Sequence, residues 1–242
     1  MSVSPRARIV KWNLGTTVQG REMIAYAFAP EGQMSPEKPA QAPWRWFLLI
    51  AGVHGDEIEG LWVARQMMES LLEEHPYEHI GVVVWPEANP DGTAAGMRYN
   101  ANGVDLNRNL PTKDWTPEIK NPRYPPGPAA ASEPESRAMV ALIEAIHPVA
   151  IISAHSFSKP QVNANGPSLE WATGVAALCQ YPVTQDMGYP SPGCLGTYAG
   201  AERGIPTITL EILRGQDENT VLGLHTMTVA TAIAHWDRAG GP

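Results

Sequence analysis

With 242 residues, 43% of them hydrophobic, the chain can bury a sizeable core. Its 17 Lys and Arg against 25 Asp and Glu leave a formal charge of −8, which argues against nucleic acid or an anionic membrane surface as partner, since both need a basic face. No apolar h-region follows the first arginines, the longest apolar run is about seven residues where a membrane span needs roughly 20, and Cys179 and Cys194 lack C-x-x-C spacing. The expectation is a cytoplasmic protein with no membrane partner and no disulfide framework.

In chain order, short apolar runs predict buried strands at 23–29 (MIAYAFA), 45–52 (RWFLLIAG), 79–86 (HIGVVVWP), 149–155 (VAIISAH) and 205–212 (IPTITLEI). Helices are predicted between and after them. Residues 57–74 space Leu61, Ala64, Met68, Leu71 and Leu72 along one face. Residues 132–148 open on Ser132 and Glu135, a capping-box pattern, with Pro134 in the first turn. Two more helices are expected at 168–180 and from about 217 to 236. Alternating strands and helices predict an α/β fold, a mixed but mostly parallel sheet with helices on both faces, as a single domain over 1–242. The exception is 86–131, rich in Pro, Asn and Gly. An irregular stretch of that length inside a domain points to function, and it holds Tyr99, Trp115, Tyr124 and the polar block RYNANGVDLNRNLP (98–111).

Ligands of open α/β sheets sit beyond the carboxyl ends of the strands. His54 and Glu57 lie just past the strand at 45–52, His155 closes the strand at 149–155, and Glu211 falls near the end of 205–212. If these strands are parallel neighbours, the four groups meet at one edge. Two His and one carboxylate around an open position make a hydrolytic zinc site, in which the metal holds a water and lowers its pKa toward about 7. Glu211 inside an apolar strand needs a metal, a proton or a cation nearby, because an unpaired buried carboxylate is costly.

The ordered set H-x-x-E, NPDG (89–92), GVDLNRN (103–109), SAHS (153–156) and TLEI (209–212) resembles the zinc carboxypeptidase family (peptidase family M14) over about 45–215. Carried over, the resemblance makes His54, Glu57 and His155 ligands of one Zn2+ per chain. It makes Glu211 the general base, and Arg98 the arginine that stabilises the oxyanion. Asn107 and Arg108 become the pair gripping the substrate's terminal carboxylate, and Asp105 the carboxylate that orients a zinc-bound histidine. Tyr189, in GYPSPG (188–193), becomes the tyrosine that closes over substrate, with Tyr198 a second candidate for that role. Cys194 reads as packing. The residue pair after the second histidine, Ser156–Phe157, is expected to be joined by a cis bond.

Within the family, the block at 98–111 with SEPE (132–135) is similar to members that act on small murein peptides. It implies hydrolysis of the γ-D-glutamyl–meso-diaminopimelate bond. A general C-terminal carboxypeptidase, an N-acyl-amino-acid deacylase of the succinylglutamate desuccinylase and aspartoacylase kind, and a non-catalytic peptide binder are the alternatives. Phe157, where digestive carboxypeptidases commonly carry a tyrosine, and the stretch 157–167 depart from the pattern. Segments 112–131 and 157–167 are expected to line the specificity pocket. The oligomeric state is not encoded in any of these motifs.

Overall fold

A computed structural model of the protein describes residues 8–29 and 45–239; the Pro- and Ala-rich piece at 30–43 lies outside them. All five apolar runs become strands, and three further strands join them. The strands are β1 (Arg8–Thr16), β2 (Glu22–Ala29), β3 (Arg45–Ala51), β4 (Ile80–Trp85), β5 (Ala150–Phe157), β6 (Gln161–Asn165), β7 (Val183–Thr184) and β8 (Thr207–Leu213). They form one sheet in the order β1-β2-β4-β3-β5-β8-β6-β7. The central strands β4, β3, β5 and β8 run parallel. Antiparallel neighbours flank them, β2 and β1 on one side and β6 on the other, with β7 parallel to β6.

Strands covered on both faces read as continuous apolar runs, and β3 and β4 do so for that reason. Phe47, Leu49 and Ala51 of β3 pack toward the helices α1 (Ile58–Glu73), α4 (Leu169–Cys179) and α6 (Met227–Arg238). Trp46, Leu48 and Ile50 point the other way, onto α3 (Pro134–Ile146). The expected layering, with helices on both faces, is what the molecule adopts. Among the described residues, no helix is long and apolar enough to cross a membrane.

Several local expectations are corrected. The strands β1 and β6 are absent from the apolar pattern because their side chains alternate with or consist of polar groups, so β6 occupies part of what reads as a specificity loop at 157–167. The stretch 86–131 contains α2 (Pro90–Ala95) and a 3₁₀ turn at Leu106–Arg108. The last helix is interrupted: α5 (Glu218–Val221) passes through a π-helical segment, Leu222–Thr226, into α6. The capping box does not form, because the N-cap of α3 is Glu133 and Pro134 takes the first helical position. Ser132 Oγ instead donates to Glu133 Oε1 at 2.7 Å, and Glu135 accepts from Asn100 Nδ2 at 3.1 Å. No cis peptide occurs among the described residues. Ser156 and Phe157 continue β5 in register with Ile212 and Leu213 of β8 and are joined by a trans bond.

The sheet places the chemistry. His155 and Glu211 are direct cross-strand partners, and Ala51 at the end of β3 pairs with Ala154. His54 therefore follows β3 at the level of His155, and Glu57 is the N-cap residue of α1. Helix α1 lies so close to β5 that a Cβ on Gly60 would stand 2.5 Å from the Ala154 carbonyl oxygen. Gly60→Ala is accordingly expected to push α1 off the sheet, costing about 1–3 kcal/mol in urea denaturation. It should also loosen metal binding, since Glu57 starts the same helix; unchanged stability would contradict this packing.

Candidate active site

The turn after β3 is built for close approach. A Cβ on Gly55 would lie 2.0 Å from the Gly92 carbonyl carbon, so only glycine lets the His54–Glu57 turn lie against α2. Asn89 caps α2, accepting from Gly92 N–H at 2.9 Å, and its amide donates to Val53 O at 3.3 Å. These contacts fix the turn against the segment that leads to Arg98.

His54, Glu57 and His155 converge and are buried. His54 Nδ1 lies 3.1 Å from Glu57 Oε1, His155 Nδ1 lies 2.8 Å from Glu57 Oε2, and the two Nδ1 atoms are 3.1 Å apart. The far side of each ring is already engaged. His54 Nε2 is 3.0 Å from Asp105 Oδ1, and His155 Nε2 is 3.0 Å from Ser153 Oγ. A carboxylate only accepts, so Asp105 fixes the His54 proton on Nε2 and leaves Nδ1 as a lone pair. The His54 Nδ1 lone pair thus faces the Glu57 carboxylate oxygens in a buried space, with His155 Nδ1 beside them, an arrangement that a cation completes. Tetrahedral zinc with bonds of about 2.0–2.1 Å holds neighbouring ligand atoms about 3.3 Å apart, so the donor set fits that ion with a small opening.

Charged groups surround this cluster. Arg98 donates to Asp105 Oδ2 from Nε at 3.0 Å and Nη2 at 2.8 Å, and from Nη1 to Glu57 Oε1 at 3.2 Å. Burial alone would raise the Asp105 carboxyl; His54 and Arg98 outweigh it and hold that carboxyl below the usual range. Glu211 is different. It makes no hydrogen bond to another side chain among the described residues, and burial, aided by the Glu57 charge, pushes its carboxyl up despite His155.

These groups open into a cleft of about 720 Å³. Asn107 Oδ1 accepts from Leu195 N–H at 2.9 Å, which turns its amide NH₂ toward the cleft. Arg108 is buried and forms no ion pair with an acidic side chain among the described residues. Its Nη1 donates to Asn107 O at 2.6 Å, and its guanidinium stacks 4.8 Å from the Tyr124 ring centroid. A buried guanidinium without an acid calls for an anionic ligand. Tyr189 lies parallel to Tyr124 at 5.5 Å, with its ring centroid 5.9 Å from the Arg108 guanidinium, and burial with the neighbouring Tyr124 pushes its phenol up to about 12. Gly193 makes this wall possible, since a Cβ there would stand 2.3 Å from Arg108 O.

The structure gathers His54, Glu57, Arg98, Asp105, Asn107, Arg108, His155, Tyr189 and Glu211 around one cleft, whereas Tyr198 lies outside it. The Tyr198 ring is buried in the core, its hydroxyl donating to Glu144 at 3.1 Å and its face under Arg203. Cys194, read as packing, lines the cleft beside Thr197 instead. Asn163 and Asn165, within the 157–167 stretch expected to line the specificity pocket, do line it; Arg214 lines it too and was not anticipated. The only signal for Arg214 was its place just after the strand that carries Glu211.

A buried histidine–carboxylate donor set at the carboxyl edge of a parallel sheet is the arrangement of a metal-dependent hydrolase. Residues 5–164 match the zinc carboxypeptidase family, and the chain belongs to it; zinc is the family's metal. Among relatives, murein peptide amidase A of Escherichia coli K12 is 30% identical over 210 residues, covering 76% of this chain and 82% of that protein. The protein of the same name from Vibrio campbellii is 32% identical over 177 residues, 68% of each chain. The crystal structure of a murein-tripeptide amidase from Escherichia coli O157 superposes with a TM-score of 0.71 at 26% identity, over 95% of this chain and 92% of that one. Carboxypeptidase A from Helicoverpa armigera shares the fold, with a TM-score of 0.75 at 17% identity over 98% of this chain and 69% of that one.

Purified protein is expected to hold about one zinc per chain, and His155→Ala should lose it while keeping the fold; full occupancy in that variant, by atomic absorption, would exclude this ligand set. Asp105→Asn should weaken zinc affinity by about 10–100-fold through loss of the fixed tautomer.

Proposed function

We propose that the protein is a zinc amidase that cleaves the γ-D-glutamyl–meso-diaminopimelate bond of small murein peptides. The observation that carries this reading is the cleft itself, in which a buried, unpaired Arg108 and a polar floor of amides stand beside the metal donor set. Likeness to the murein peptide amidases supports the substrate class.

In this reading His54, Glu57 and His155 hold the zinc. Zinc, when bound there, acts as a Lewis acid on the scissile carbonyl and on the attacking water. Arg108 and Asn107 grip the free carboxylate of the leaving half; the guanidinium fork suits a bidentate carboxylate. Glu211, a carboxylate with raised proton affinity and no competing partner, accepts a proton from the attacking water and passes it to the leaving amine. Arg98, locked by Asp105, presents its remaining donor capacity to the oxyanion that develops as the carbonyl is attacked. Asp105 keeps His54 in one tautomer. Tyr189, with Tyr124, covers the carboxylate end and excludes water.

The far end of meso-diaminopimelate is zwitterionic and needs polar partners. Asn163 and Asn165, linked at 2.9 Å, line the cleft and offer them. An aromatic or aliphatic side chain placed there would strand these amides without partners, which disfavours a general carboxypeptidase of apolar specificity. We place the protein's action in the cytoplasm, a setting that suits its two unpaired cysteines.

Glu211→Gln should retain zinc and bind substrate yet lose most turnover; a kcat within a few-fold of wild type would move the base elsewhere. L-Ala-γ-D-Glu-meso-diaminopimelate is expected to exceed both its lysine analogue and an α-linked dipeptide with a C-terminal aromatic in kcat/KM. A site whose buried polar groups go unpaired can reject an analogue by up to about 10⁴-fold or more. Should the α-linked dipeptide win, the protein is a general carboxypeptidase.

A further inference from the structure

Arg214 follows β8 by one residue and has no role in the chemistry above. It lines the cleft, with its side chain 35% exposed. Its backbone N–H donates to Phe157 O at 3.0 Å, which anchors it beside the end of β5. Its guanidinium reaches Asp56 Oδ2 at 3.2 Å, Glu57 Oε1 at 3.4 Å and Ser156 Oγ at 3.4 Å. Asp56, its nearest acid, does not line the cleft, so the acid backs the guanidinium rather than covering it.

These contacts are loose. Arg98, held by Asp105 at 2.8 and 3.0 Å, shows what a committed fork looks like in the same site. Glu57 Oε1 is a weak anchor for Arg214, because Arg98 at 3.2 Å and His54 at 3.1 Å compete for the same oxygen. A guanidinium has five N–H donors in a fixed fork, and a cleft-facing fork satisfied only by long contacts retains capacity for a further carboxylate.

Position says which one. Arg108, Tyr124 and Tyr189 define the end of the cleft that takes the leaving half of the substrate. Arg214 shares none of their contacts and sits by Ser156 and Phe157, where the acyl half must lie once the scissile carbonyl is between Glu211 and the metal donors. A γ-linked glutamyl residue differs from an α-linked residue with a neutral side chain in carrying a free carboxylate, its α-carboxylate, on that half. Its carbon stands four bonds from the scissile carbon, a reach of about 5 Å when extended. A cation bonded to Glu57, itself a metal donor, is within that arm's span.

Resting on the murein reading above, we propose that Arg214 binds the α-carboxylate of the γ-D-glutamyl residue and so selects acyl groups that carry a carboxylate at that reach. It is a specificity residue for the acyl half, as Arg108 is for the leaving half.

The test compares L-Ala-γ-D-Glu-meso-diaminopimelate with its D-isoglutaminyl form, in which the α-carboxylate is an uncharged amide and nothing else changes. Wild type is expected to prefer the acid by about 10–100-fold in kcat/KM, the range of a charge-assisted hydrogen bond. Arg214→Gln should lose that factor on the acid, stay within about 3-fold on the amide, and keep one zinc per chain; Arg214→Lys should restore part of the preference. Calorimetry with the zinc-loaded protein should give the same ratio without turnover, comparing the product dipeptide L-Ala-D-Glu with L-Ala-D-isoglutamine. Equal losses on acid and amide, or loss of zinc from Arg214→Gln, would show that Arg214 only supports Glu57 and would overturn the proposal. So would a wild type indifferent to the amide. Cleavage of α-linked peptides with neither γ-linked substrate turned over would instead bring down the murein reading, and this proposal with it.

Discussion

The Glu57 carboxylate is buried at the start of α1, and most of the cleft is arranged around that fact. A buried charge has to be paired or coordinated. Here His54, His155, Arg98 and Arg214 all approach its oxygens, and Ser156 N–H donates to Oε2 at 3.2 Å. Its pKa is held well below the ordinary range, because the two histidines outweigh the effect of burial. The groups come from β3, β5, the segment after α2, and the end of β8. A metal ion at the same place completes the set, since the His54 Nδ1 lone pair otherwise faces the Glu57 carboxylate. Fold and site are coupled at this one carboxylate, because the helix it begins is also pressed against β5.

A second polar centre supports the first from outside the cleft. Asn100 donates to Glu133 at 2.8 Å and to Glu135 at 3.1 Å, while its own Oδ1 accepts from Asn102 and Val104 N–H groups at 3.1 Å. The segment carrying Arg98 and Asp105 is irregular backbone, and its groups need partners if they are to stay buried. Asn109 does the same further on, donating to Pro126 O at 2.7 Å and to Ala129 O at 3.0 Å. What looks like a long loop is therefore a tied structure, pinned to the start of α3 by side-chain amides. This explains why the SEPE stretch accompanies the polar block: Glu133 and Glu135 serve the 98–105 segment rather than capping their own helix.

The parallel core was legible because burial on both faces leaves unbroken apolar runs, and the ends of those runs marked where His54, His155 and Glu211 would meet. Neighbouring strands could be inferred only as a condition, and the register of His155 with Glu211 came from the fold. The capping box misled because Ser132 and Glu135 match a local pattern that tertiary partners override. The strand β6 escaped because QVNAN is polar, and it is polar because one side faces the cleft. The expected cis bond came from family likeness, and the pairing of Ser156 and Phe157 along β8 decided against it. Arg214 has no periodic or motif signal at all. Its significance arises only when β8 delivers it beside Asp56, a residue 158 positions away in sequence.

Reaction and specificity are carried by different parts of the molecule, and this division explains which was easier to read. The metal donors and Glu211 stand at the ends of parallel strands, whose pattern is dictated by the core. The remaining walls of the cleft come from β6, the 112–131 and 185–197 segments and the residue after β8. Their contacts are amide to amide. Asn165 Nδ2 donates to Asn163 Oδ1, and Asn163 Nδ2 in turn donates to Thr184 Oγ1 at 3.1 Å. Gly196 has no side chain because Asn165 Oδ1 would lie 2.3 Å from its Cβ. A floor of interlocked amides keeps its shape without a ligand and offers both donors and acceptors, which suits a zwitterion better than either a cation or an apolar group. In the proposed reading, with Arg108 at the leaving half and Arg214 at the acyl half, the cleft would present a charged anchor on each side of the scissile bond, and selectivity would be spread over the whole substrate rather than concentrated in one side-chain pocket.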